Sequence, residues 1–278
     1  MSWTEGNLRS AIESWNRWLG EIIQILTQSP EYFRDGAVWR VILSIHAALQ
    51  GIGLGLLVLF FVIGVVKTCG TFAEMKRPEV AIKMFIRFAL ARAVVVYGLE
   101  LMMAIFSIVQ GIIQQTLLAA GFLGVDSVTL PEEIATAIDN TSFLDRFPMW
   151  IVALLGSIVI FVLGIILIMS VYGRFFRLYL YTAIAPIPLS SFAGEPTSSM
   201  GRNFIKSYAA VCLEGAVIVL AMVIFTAFAS SPPNVDTDVS PVTQVWAYIG
   251  EVAFNMLVLV GMVKTADRLT EKLLGLGG

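Results

Sequence analysis

A few ionisable side chains lie within or beside long apolar stretches of this chain, and they are the first candidates for chemistry. They are His46, Glu100, Glu214 and Glu251. A charged side chain at the centre of a membrane-spanning helix costs about 2.5–3.5 kcal/mol on insertion scales, so such residues usually have a role. One interpretation of the glutamates is a polar pathway or a proton site across a membrane.

A second interpretation is that these acids pair with basic side chains of neighbouring helices or subunits. Glu100 or Glu214 would then pair with one of three arginines, Arg92, Arg174 or Arg177. Proton-coupled transporters typically carry a chain of acids, whereas no apolar segment here has two acids on one face. Pairing is therefore favoured. His46, near one end of the first apolar segment, is predicted to be a packed or interfacial residue.

The residue types and motifs of common active sites are missing from the sequence. One histidine and two distant cysteines, Cys69 and Cys212, cannot supply a closed zinc site. The chain has neither the phosphate-binding Gly-x-x-x-x-Gly-Lys-Ser/Thr loop nor the nucleophile motif Gly-x-Ser-x-Gly. We therefore expect no catalytic residue, no metal and no cofactor, and we do not expect an enzyme.

The composition shows which kind of fold must position these residues. Of the 278 residues, 58% are hydrophobic and only 14% are charged, against about 25% charged in soluble domains. Apolar runs of about 18 residues or more indicate helices that cross a membrane. The sequence therefore predicts an all-α, polytopic membrane protein with five spans, at roughly residues 41–66, 91–113, 149–172, 204–229 and 245–263.

Two segments flank this transmembrane domain of residues 41–263. Residues 1–40 contain an amphipathic helix whose tryptophans lie beside an apolar stripe, which suits a membrane interface or partner helices. Residues 264–278 form a short amphipathic tail. Within the first span, Gly51-x-x-x-Gly55 is a small-residue step at which another helix can approach closely.

Lysines and arginines alternate between the connections of the five spans. They are frequent after spans one and three and in the tail, whereas only Arg146 follows span two and none follows span four. Basic residues near span ends mark the cytoplasmic side of a membrane. The sequence therefore predicts an N-terminus outside and a C-terminus in the cytoplasm.

The tract from Arg174 to Lys206 is neither a regular span nor an ordinary loop. Its prolines, Pro186 and Pro188, prevent a continuous helix. The tract is predicted to turn back at the inner face or to continue as a helix below the membrane. One interpretation is a simple inner-face connection. The other is a docking surface for cytoplasmic partners, formed by Arg174, Arg177, Pro186, Pro188, Arg202 and Lys206.

This tract also carries a resemblance to a known family. It contains Arg177-x-x-x-Tyr181-x-x-x-Ala185-Pro-Ile-Pro-Leu, then Ser191-Phe-Ala-Gly-Glu, Gly201-Arg-Asn-Phe-Ile-Lys-Ser-Tyr and Glu214-Gly. These motifs resemble the TrbL-type polytopic membrane subunit of type IV secretion and conjugation systems, in the short version of Gram-positive conjugative elements. The outside loop after span two is short here, which departs from the family.

The resemblance implies a membrane channel or platform subunit of a conjugative type IV secretion system, located in the bacterial cytoplasmic membrane. Such a subunit oligomerises into a ring in the lipid bilayer, beside conjugation ATPases and other membrane subunits. It helps to form the path for single-stranded DNA with its attached relaxase, which it contacts transiently. The alternative is a stand-alone secondary transporter or small-solute channel, with Glu100, Glu214 and the Pro186–Pro188 region as its site.

Overall fold

The computed structural model describes residues 3–68, 78–121, 128–139, 141, 146–229 and 239–276. In these ranges every regular element is helical, which confirms the predicted all-α class. We number the α-helices α1 Trp3–Thr27, α2 Ala37–Thr68, α3 Pro78–Val96, α4 Gly98–Ala119, α5 Glu132–Asp139, α6 Arg146–Ile184, α7 Pro186–Leu189, α8 Ser198–Ala229 and α9 Pro241–Leu273. Two 3₁₀ turns, Phe33–Gly36 and Ser190–Ala193, precede α2 and follow α7.

Five of these helices are long and apolar enough to cross a membrane, as predicted: α2, α4, α6, α8 and α9. The second candidate span begins at Gly98, because α3 ends at Val96 and Tyr97 forms a turn. The 39-residue helix α6 continues well beyond residue 172. At 1.5 Å per residue it is about 58 Å long, whereas the hydrocarbon core of a bilayer is about 30 Å thick.

The chain forms two compact units, and each is described by itself. The first comprises Met1–Thr27, Ile113–Gly173 and Gly215–Ala266. The second comprises Gln28–Ile112, Arg174–Glu214 and Asp267–Gly278.

In the first unit, the apolar stripe of α1 is buried inside the protein. Leu8, Trp15 and Leu19 are at most 1% exposed, and Trp15 meets Phe225 edge to face with ring centroids 6.4 Å apart. Polar contacts support this packing. The Asn7 amide donates to the Ser157 hydroxyl at 3.3 Å, and the Asn16 amide donates to the carbonyl of Val128 at 2.8 Å. The stripe that is typical of a membrane-surface helix is thus covered by the chain's own helices.

The closest approach of α1 to α6 is at Gly164, where the Trp18 ring lies directly over the glycine. The Trp18 and Phe161 rings are 5.3 Å apart at their centroids. A side chain at position 164 would overlap the indole. Glycine is required here because a tryptophan occupies the space that a Cβ would take.

We therefore expect opposite effects from alanine at two glycines of α6. Alanine in place of a helical glycine usually stabilises by about 0.5–1 kcal/mol, and Gly173→Ala should do so because nothing lies within 4 Å of its Cβ position. Gly164→Ala should instead destabilise by about 1–3 kcal/mol through overpacking against Trp18. Thermal unfolding of both variants in detergent measures the difference. Equal or reversed melting temperatures would show that α1 does not pack on α6 in this way.

Candidate functional site

The second unit is organised around a tight reversal between α6 and α8, which we call the proline turn (residues 185–197). Pro186 begins the single-turn helix α7, and proline suits the first position of a helix because its fixed φ is already helical. Hydroxyl groups then bind carbonyls of the turn. Ser190 Oγ donates to Ile187 at 2.6 Å and Ser191 Oγ donates to Pro188 at 2.7 Å, and Thr197 Oγ1 donates to Ser191 at 2.8 Å. The turn is therefore internally hydrogen-bonded.

Pro186 also leaves one carbonyl of α6 without its helical partner. In an α-helix the carbonyl of residue 182 would accept from the N–H of residue 186, and proline has none. His46, on α2, fills this gap: its Nδ1 donates to the Thr182 carbonyl at 2.7 Å. A carbonyl can only accept, so this bond places the proton of the imidazole on Nδ1 when the ring is neutral. His46 is 5% exposed, and its Nε2 has no partner among the described residues.

Glycines allow α2 and its neighbours to approach the turn closely. A Cβ at Gly53 would lie 2.7 Å from the carbonyl oxygen of Pro186, and one at Gly64 would lie 2.9 Å from Cα of Gly194. Both distances are shorter than real Cβ contacts, so the two backbones touch. Gly53 and Gly64 are 11 residues apart, about three helical turns, and thus share one face of α2. Gly51 and Gly55, which the sequence singled out, lie on another face with nothing within 4 Å.

Three charged side chains join α6 to α8 next to the turn. Arg174 is fully buried and donates from Nε to the Val211 carbonyl at 2.9 Å and from Nη2 to the Cys212 carbonyl at 3.0 Å. Arg177 donates from Nη2 to both carboxylate oxygens of Glu214, at 2.6 and 2.7 Å. Glu214 is 4% exposed whereas the Arg177 side chain is 40% exposed, so the ion pair is only partly buried. This is one of the pairs that the interhelix interpretation named.

The candidate residues from the sequence thus fall into two groups. His46, Arg174, Arg177, Pro186 and Glu214 come together in the second unit, within or against the segment 174–214. By contrast, Glu251 is an exposed residue of α9, and Glu100 is exposed in the first turn of α4 rather than near the middle of a span. Only the first group forms a site.

Two of the residues predicted to form a docking surface in the tract from Arg174 to Lys206 are buried. Arg174 and Pro186 are buried, so neither is accessible to a cytoplasmic partner, and Pro188 is only partly exposed. Arg202 and Lys206 are exposed on α8, and Arg202 donates to the Ser198 hydroxyl at 3.2 Å. A docking role stays a prediction for these two residues.

Sequence reasoning missed Thr182, Gly53 and Gly64. Thr182 lies four residues before Pro186. Because proline has no N–H, the sequence alone could have shown that the Thr182 carbonyl loses its helical partner, but it could not have shown that His46 replaces that partner. The described residues contain no group of three or more histidine, cysteine, aspartate or glutamate residues that could hold a metal ion. The arrangement therefore joins helices through backbone carbonyls and one ion pair.

We expect His46 and Pro186 to be energetically coupled. His46→Leu leaves the Thr182 carbonyl buried without a donor, which costs about 1–3 kcal/mol. Adding Pro186→Ala to His46→Leu restores an N–H at position 186 and should recover part of the lost melting temperature in detergent. Ile45→Leu, at a neighbouring residue that is 42% exposed, is the matched control and should have little effect. A His46→Leu variant as stable as the wild type, or no recovery by Pro186→Ala, would contradict the assigned hydrogen bond.

A comparison with known protein families gave a match that covers most of the residues of this site. A family described as "TrbL/VirB6 plasmid conjugal transfer like protein" matches residues 15–186, more than half of the chain. The match includes His46, Arg174 and Pro186, whereas the returning helix α8 with Glu214 lies beyond it. A comparison with curated proteins gave no match. The chain belongs to the TrbL/VirB6 family of plasmid conjugal transfer proteins.

Proposed function

We propose that this protein is a channel or platform subunit of a conjugative type IV secretion system, helping to form the membrane path for single-stranded DNA with its attached relaxase. The observation that carries the proposal is the family match over residues 15–186. Membership of the family identifies the chain as a component of conjugal transfer. The five candidate spans support a role within the membrane itself.

In this proposal the chain does no chemistry of its own. Members of the family are structural subunits of secretion systems, and the contacts around the proline turn join helices. Energy for transfer would come from conjugation ATPases and would reach this subunit through cytoplasmic contacts. Arg202 and Lys206, exposed near the start of α8, are the described basic residues that we propose for such contacts.

We further propose that several copies assemble into a ring. One face of α2 supports this, because Gly51 and Gly55 have nothing within 4 Å and are surrounded by exposed apolar side chains. These side chains include Ile52, Val58, Leu59 and Val62, each at least 50% exposed. Small residues at a membrane helix surface let a second helix approach closely. The glycine step thus remains available to a neighbouring subunit, whereas Gly53 and Gly64 are used within the chain.

The proposed orientation places the N-terminus outside and the C-terminus on the cytoplasmic side. It is supported by the alternation of basic residues between connections. Of the candidate connections, the one that includes α5 is acidic, with Glu132 and Glu133 in the first turn of that helix.

We expect single cysteines at two exposed positions to report this orientation. In a background with Cys69→Ser and Cys212→Ala, Glu133→Cys should react with a membrane-impermeant maleimide in intact cells. Lys272→Cys, in the last turn of α9, should react only after permeabilisation. The reverse labelling pattern would overturn the orientation, and labelling of neither cysteine in permeabilised cells would show that the positions are not accessible as described.

The transporter alternative is less well supported by the geometry. Glu100, which that alternative requires, is exposed in the first turn of α4, and Glu214 is bound by Arg177. The broken helix that such a transporter would use to bind a solute is hydrogen-bonded internally, with the Thr182 carbonyl bound by His46.

Donor-strain mating tests the proposed function directly. Deletion of the gene should reduce transfer of the conjugative element to the background level, and a separate wild-type copy should restore it. A copy carrying Ile45→Leu serves as the matched control for expression and should restore transfer equally. Unchanged transfer in the deletion strain would reject the proposal and bring the transporter alternative forward.

A further inference from the structure

A cavity of about 610 Å³ opens between α2, α3 and the proline turn, entirely within the second unit. Its walls are mostly apolar, with Phe61 from α2, Leu90 and Val94 from α3, and Phe192 from the turn. The polar lining side chains are Lys83, Arg87 and Glu195. A volume of about 610 Å³ is within the range of small-molecule sites, roughly 300–1,000 Å³.

The charged side chains on α3 do not extend along the whole cavity. Its lining on α3 runs from Val80 to Val94, which is about 21 Å along a helix axis. Up to the midpoint at Arg87 the lining is mixed, because the cations Lys83 and Arg87 alternate with apolar side chains, whereas beyond Arg87 it is apolar, with Leu90, Ala91 and Val94. The cavity therefore has an end that carries cations and an end that is apolar, as the binding site of an amphipathic molecule would.

The charges at the cationic end are only partly neutralised. Arg87 donates from Nη1 to Glu195 Oε2 at 2.9 Å, and both side chains are substantially exposed, at 39% and 67%. A guanidinium carries five N–H donors, so this contact leaves others for a second anion. Lys83 is exposed and has no ion pair within the described residues. Two cations and one carboxylate leave a net positive charge at this end.

The apolar end opens on the outer surface of the helices. Leu90 lines this end of the cavity and is still 63% exposed. In a membrane protein such a surface faces lipid, so a hydrocarbon chain can enter from the side. A nucleic acid or a soluble metabolite would leave this apolar half unfilled.

We propose that the cavity binds an anionic phospholipid of the cytoplasmic leaflet, with its phosphate at Lys83 and Arg87 and one acyl chain along Phe61, Leu90 and Val94. Cationic side chains attract the anionic lipids of that leaflet. The bound lipid would fill the space between α2, α3 and the turn and so fix the position of the turn. Only the choice of leaflet rests on the proposed orientation; lipid binding itself does not depend on the proposed function.

Native mass spectrometry of the full-length protein tests the headgroup contacts. The protein, in an uncharged detergent, is incubated with equal concentrations of phosphatidylglycerol or phosphatidylcholine. The wild type should retain phosphatidylglycerol in clear preference to phosphatidylcholine. Lys83→Glu and Arg87→Glu should each lower that retention by about tenfold, since charge-assisted hydrogen bonds to phosphate are the strong contacts. Lys272→Glu makes the same change of charge at an exposed residue outside the cavity and should retain the lipid as the wild type does.

A second pair of variants tests the acyl-chain contacts. Val94→Trp fills the apolar end and should reduce lipid retention, whereas Ile82→Trp adds the same ring at a residue of α3 that is 59% exposed and lies outside the cavity lining. Melting temperatures identify any variant that has lost its fold. Equal retention of the two lipids, unchanged retention in both charge variants, or identical behaviour of Val94→Trp and Ile82→Trp would overturn the proposal. Mating efficiency plays no part in these measurements, so their outcome is separate from that of the deletion experiment.

Discussion

The second unit depends on one missing hydrogen-bond donor. Pro186 follows the end of α6, and it removes the N–H that would have bound the Thr182 carbonyl. A buried carbonyl without a donor is costly, and in the apolar interior of a membrane protein water is not at hand to replace it. His46 provides the donor from a helix 136 residues away in sequence. Packing of α2 against the turn therefore stabilises the turn, and the first span and the turn belong to one unit.

The same requirement explains why small residues surround the turn. A short polar bond between α2 and α6 requires the backbones to be close, and side chains at Gly53 or Gly64 would hold them apart. On the other side, Arg174 and the Arg177–Glu214 pair join α6 to α8. The turn is thus held by hydrogen bonds to α2 and by charged contacts between the two helices that it connects.

The general architecture could be predicted from the sequence, whereas the internal contacts could not. Runs of apolar residues are a local property, so the five spans and their helical class followed directly. The boundary between α3 and α4 at Tyr97 was not predicted, because hydropathy continues smoothly across it and helical hydrogen bonds also continue through Tyr97. The glycine spacing at Gly51 and Gly55 is a genuine packing signal, but spacing alone does not tell which face of a helix meets its own chain. Charge alone limited the predicted partners of Glu214 to three arginines. The fold then distinguishes two of them, because Arg177 binds the Glu214 carboxylate whereas Arg174 binds backbone carbonyls.

The packing of α1 has a consequence for the order of events during synthesis. Its tryptophan-bearing stripe is covered partly by α6 around Phe161 and Gly164, a segment that is made more than 130 residues after α1 ends. At about 5–20 residues per second, roughly 7–27 seconds of translation separate the two. During that interval α1 has no α6 to cover it, and its apolar stripe must be held by lipid or by the insertion machinery. The helix α1 is therefore made well before the part of α6 that completes its packing.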